Sequence, residues 1–60
     1  MQTADQIVVK RYAESGKFAR REILDILQWE LKAALEDMEI DNAQKALLTL
    51  DACKAIEEKP

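Results

Sequence analysis

At 60 residues the chain has room for one domain, spanning 1–60, and a chain this short removes only about 60% of its unfolded surface from water. One cysteine and no histidine exclude a disulfide scaffold and remove the commonest general base, so a reducing compartment and a non-enzymatic protein are expected. The net charge of −3 is uneven: residues 1–21 carry five basic side chains against Asp5 and Glu14, whereas residues 22–60 carry ten acids against four lysines.

A single Gly and a single Pro, among many Ala, Leu, Glu, Lys and Gln, predict a mostly helical chain. The first helix is expected over residues 3–15. Thr3-Ala4-Asp5-Gln6 fits a capping box, Ala4, Val8 and Tyr12 recur at helical spacing, and Gly16 supplies a left-handed stop. The β-branched run Ile7-Val8-Val9 makes a strand over 6–12 the competing assignment. Such a strand would place Gln6, Val8, Lys10 and Tyr12 on one face. The resulting strand–helix–helix order is similar to that of the ribbon-helix-helix DNA-binding regulators, although no residue motif of that family is matched.

The second helix is predicted over about 17–38. Leu24, Leu27, Leu31, Ala34 and Met38 step by three and four to form an a/d seam, widened by Ile23 and Leu35. Acidic residues from Glu36 onward oppose the dipole and end that helix, and Asp41 reads as the next N-cap with Gln44 three residues on. The third helix is predicted over about 42–58, with Ala43, Ala46, Leu47, Leu50 and Cys53 facing inward. These mostly small residues allow a tight antiparallel pairing with the second helix. The fold class expected is all-α: a short N-terminal helix followed by a long antiparallel helical hairpin, forming a three-helix bundle that could pair into a larger one.

The middle helix carries a second apolar sector as well. Phe18, Ala19, Ile26, Trp29, Ala33 and Ile40 fall outside the seam, and the third helix can cover only one side. Either the first helix folds back over Gly16 and lays Ile7, Val8 and Tyr12 on this sector, or a second copy of the chain covers it. If Phe18 and Trp29 stand in water uncovered, that scheme fails.

Few residues suggest chemistry. Cys53 lies on an apolar helix face, where a thiol is usually inert packing. Asp37-Met38-Glu39-Ile40-Asp41 imitates the start of a calcium loop but lacks its Gly and closing Glu, so a solvated turn is expected, with no metal site and no cofactor. No apolar run is long enough to span a membrane, and no signal-peptide pattern opens the chain, so a cytoplasmic location is expected.

The segment KRYAESGKFARR, residues 10–21, interleaves basic and aromatic side chains. The function expected is binding of another protein by a small adaptor, inhibitor or accessory factor that forms a homodimer. Its candidate contact residues are Arg11, Lys17, Phe18, Arg20, Arg21 and Trp29. A nucleic-acid-binding regulator, using the same basic segment on phosphates and bases, is the alternative.

Overall fold

The computed structural model describes residues 2–58. Three helices follow one another, α1 (Gln6–Glu14), α2 (Lys17–Glu36) and α3 (Ile40–Glu58), and the described residues contain no strand. Residues 6–12 are therefore helical, and the strand alternative is set aside. The β-branched side chains are accommodated because Val8 and Val9 pack against the core, where burial outweighs their weak helix penalty.

The ends of α1 differ from expectation. Asp5, not Thr3, is the N-cap, and its carboxylate accepts from the Ile7 and Val8 backbone N–H groups at 3.1 and 3.4 Å. Gly16 is not left-handed: at φ −78° and ψ 178° it is the extended N-cap of α2. The left-handed residue is Met38, at φ 58°. There the Glu39 N–H donates to the Ala34 carbonyl at 2.8 Å and the Met38 N–H to the Leu35 carbonyl at 3.1 Å. This is the Schellman pattern that closes a helix, here without the usual glycine. Helix α3 then starts at Ile40, so Asp41 sits inside its first turn instead of capping it.

Helices α2 and α3 form the antiparallel pair, with Leu27, Ala34, Ala43, Ala46, Leu50 and Cys53 buried between elements. On α3 the buried line takes in Thr49 and releases Leu47, which is 48% exposed. Thr49 can be buried because its hydroxyl is satisfied twice. It accepts from the Asp5 N–H at 2.9 Å and donates to the Lys45 carbonyl at 2.7 Å. The first of these bonds pins the start of α1 to the middle of α3. The end of α1 is pinned near Glu57, so α1 runs alongside α3 in the same direction.

Tyr12, 1% exposed, joins Leu27, Leu50 and Cys53 in the core, with Val8, Val9, Ile23, Leu24, Leu31 and Ile56 packed around them. Helix α1 thus fills the groove over the α2 seam and does not cover the second sector. That groove offers its apolar side chains deeper burial than an open helix face would. The consequence corrects the sequence reading: Phe18 is 86% and Trp29 70% exposed, and Ile7 faces water as well. Among the described residues nothing covers Phe18, Ile26, Trp29 or Ile40 of the second sector. Each such large side chain forgoes about 1.5–3 kcal/mol of burial.

Candidate functional site

The α1–α2 corner is set by Arg20. From the first turns of α2 its guanidinium reaches back to the exposed carbonyl end of α1. Its Nε donates to the Tyr12 carbonyl at 3.0 Å and its terminal nitrogen to the Ala13 carbonyl at 2.9 Å. Both carbonyls belong to the last turn of α1, where the Tyr12 carbonyl also accepts the Ser15 N–H at 3.1 Å and where a cation is favoured by the dipole. The same guanidinium donates to the Glu57 carboxylate at 2.8 Å and stands 5.1 Å from the centre of the Tyr12 ring.

Tyr12 completes the cluster by donating its phenol hydrogen to the same Glu57 oxygen at 2.8 Å. Burial, with the hydrogen bond to the Glu57 carboxylate and that carboxylate's charge, pushes the Tyr12 phenol up. The donors Tyr12 and Arg20 hold the Glu57 carboxyl below its ordinary value. Burial alone raises the Cys53 thiol, which is free and fully enclosed.

The six candidate contact residues therefore do not form one site. Lys17, Arg20 and Arg21 line a shallow concavity at the corner, beside Tyr12 and Glu57. Arg11 is exposed in the last turn of α1, and Phe18 projects into solvent at the start of α2. Arg20 is committed to the contacts that hold the helices together. Trp29 lies elsewhere. It is eleven residues from Phe18, roughly 16 Å along the helix, and on the same outward line because eleven residues make three turns.

Trp29 forms part of a separate groove of about 340 Å³ between α2 and the start of α3, closed at one side by Asp5 and Val8. Its floor is apolar and small, including Leu27, Ala33, Ala34 and Ala46. Its polar wall is unbalanced: Asp5, Glu30, Asp37 and Glu39 face Lys45 as the one base among the described lining residues.

Sequence reasoning did not single out Thr49 or Glu57. A signal existed for both. Thr49 lies three residues after Ala46, and Glu57 lies four after Cys53, so each continues the inward line of α3. Among the described residues no group of three or more potential ligands is placed to hold a metal ion; Asp37 to Glu39 form the α2–α3 turn, and Ile40 and Asp41 open α3. Nor is any helix of the described residues long and apolar enough to cross a membrane. Comparison of the chain with known protein families, curated proteins and solved structures finds no match.

Proposed function

We propose that this chain is a small cytoplasmic interaction protein that works by binding another protein, without catalysis, and that pairs with a second copy of itself. The observation that supports this reading is the outward face of α2. It presents Phe18, Ile26 and Trp29 to solvent on the side away from the core, at 86%, 56% and 70% exposure. Aromatic side chains in that position are characteristic of contact surfaces, where they supply most of the binding energy. The exposed basic side chains of Lys17 and Arg21, in the first turns of α2 beside Phe18 in the chain, and of Arg11 on α1 would orient a partner.

A photo-crosslinking residue placed at position 18, in cells of the source organism, tests the reading. It should join the chain to a different protein, and Trp29→Ala should abolish that product while leaving the helical content unchanged. The same probe at position 54, an exposed place on α3, should not give it. If position 18 yields no such product, or the product is the same from position 54, the protein-binding reading is withdrawn. Light scattering across concentrations tests the pairing separately, and a single-chain mass throughout removes it.

The exposed Arg11, Lys17 and Arg21, with Phe18 exposed in the same segment, support nucleic-acid binding as a second reading. In that case a gel shift with duplex DNA or RNA appears at low salt and weakens steeply as salt is added. Absence of a shift at low salt removes it.

A further inference from the structure

The groove beside Trp29 carries information about the chemistry of a partner, and the inference drawn from it rests on the protein-binding reading above. Its floor of Leu27, Ala33, Ala34 and Ala46 is apolar, and small side chains leave it open to something slender. Trp29 forms one wall with its ring largely in solvent. Two of the four carboxylates have internal roles: Asp5 caps α1, and Glu39 accepts from the Asn42 amide at 3.0 Å. The ion pair found among the described residues is Arg20–Glu57, so neither Glu30 nor Asp37 is paired with a cation there, and Lys45 is the one base that shares their groove.

We propose that this groove is a docking site for a basic segment of a protein partner. In this arrangement an Arg or Lys side chain lays its methylene stem along the alanine floor and its cation over the Trp29 ring. The head group then takes up the carboxylates of Glu30 and Asp37. Each part of the groove matches a part of that side chain. Alkyl stems bury against apolar surface while their heads stay polar, cations favour the face of an indole, and guanidinium pairs with carboxylate through charged hydrogen bonds. An acidic partner would meet four carboxylates against Lys45 alone and be repelled. A nucleic-acid phosphate would meet the same repulsion, which separates this groove from the basic corner at the other end of α2.

A random linear peptide library selected on the whole chain, with Glu30→Gln/Asp37→Asn as counter-selection, tests the proposal. Peptides carrying Arg or Lys next to an apolar residue should be enriched on the unaltered chain. A synthetic peptide of the enriched sequence should then change the emission of Trp29, the only tryptophan, in a saturable way. The double variant should bind that peptide roughly tenfold or more weakly. Glu22→Gln, outside the groove on the same helix, should bind it as the unaltered chain does.

Enrichment of acidic or uncharged peptides, no enrichment, or equal binding by the double variant overturns the proposal. If the crosslink at position 18 persists while the peptide selection fails, the groove assignment falls and the protein-binding reading stands. If both fail, the reading itself is lost.

Discussion

Arg20 holds Tyr12 at two points: its Nε donates to the Tyr12 backbone carbonyl at 3.0 Å, and its guanidinium lies 5.1 Å from the centre of the Tyr12 ring. One side chain from α2 thus fixes both the end of α1 and the aromatic residue that α1 contributes to the core. Arg20→Ala should destabilise the fold by about 1–2 kcal/mol, because two helix-end carbonyls lose a charged donor and the ring loses a covering stem. Arg20→Lys should recover little, since an ammonium cannot reproduce the fork that spans Tyr12, Ala13 and Glu57. Urea unfolding of the three proteins checks this. Equal stability would return Arg20 to the set of free surface charges.

The Tyr12–Glu57 bond gives stability a dependence at both ends of the pH scale. Glu57 has a folded pKa below its ordinary 4.5, so its contribution is present above that value and is lost as pH falls through the depressed one. Tyr12 behaves in the opposite sense. Its folded pKa is raised above 10.0, so its contribution is full below pH 10.0 and is lost as pH rises through the raised value. Melting temperature measured from acid to alkali should therefore decline at both extremes. Tyr12→Phe should lessen the alkaline decline, leaving the part due to the buried Cys53 thiol, and reduce the acid one, and Glu57→Gln should flatten the acid side. Phenolate absorbance of the folded chain should appear above pH 10.0; its appearance below that would contradict the assignment.

Thr49→Val keeps the shape of a fully buried side chain while removing its hydroxyl. The Asp5 N–H and the Lys45 carbonyl then lose their partner inside the fold. A cost of about 1–2 kcal/mol is expected, the usual range for stranding buried polar groups. The loss should be local at first. Hydrogen exchange of the α1 amides, Ile7 to Val9 above all, should quicken more than exchange in α2 or α3. Uniform acceleration throughout would show that Thr49 supports the whole bundle and not the docking of α1.

What was legible in the sequence follows from which forces act locally. The seam of Leu24, Leu27, Leu31 and Ala34, and the small inward residues Ala43, Ala46 and Cys53, repeat at helical spacing, so the α2–α3 pair could be read from period alone. The position of α1 could not. Its docking depends on Thr49, Arg20 and Glu57, polar residues whose types suggest solvent and whose roles emerge only once three helices meet. Phe18 and Trp29 were legible as a second apolar sector, but their spacing carries no record of whether α1 would reach them. It goes instead where Leu27, Leu50 and Cys53 enclose Tyr12. The sorting of Trp29 away from the basic residues was hidden too, because the carboxylates around it come from α2, the α2–α3 turn and the residue before α1.

The two turns exchange the conformations that their residues suggest. Gly16 sits in extended backbone that any residue can adopt, and a Cβ placed there meets no atom within 4 Å. Met38 occupies the left-handed region at φ 58° with its side chain 81% exposed, so packing does little to compensate. For a residue with a Cβ that conformation costs roughly 1–2 kcal/mol. Met38→Gly should therefore stabilise the chain by about 1 kcal/mol, less whatever the glycine adds to the entropy of the unfolded state. Gly16→Ser should also stabilise it, by about 0.5–1 kcal/mol, because a hydroxyl can accept from the first free N–H groups of α2 and the unfolded chain loses freedom. The substitutions are far apart in the bundle and share no partner, so their effects should add. Thermal unfolding of both single variants and the double variant checks each value. Destabilisation by Met38→Gly would mean that the Met38 side chain makes a contact worth more than the strain of its backbone.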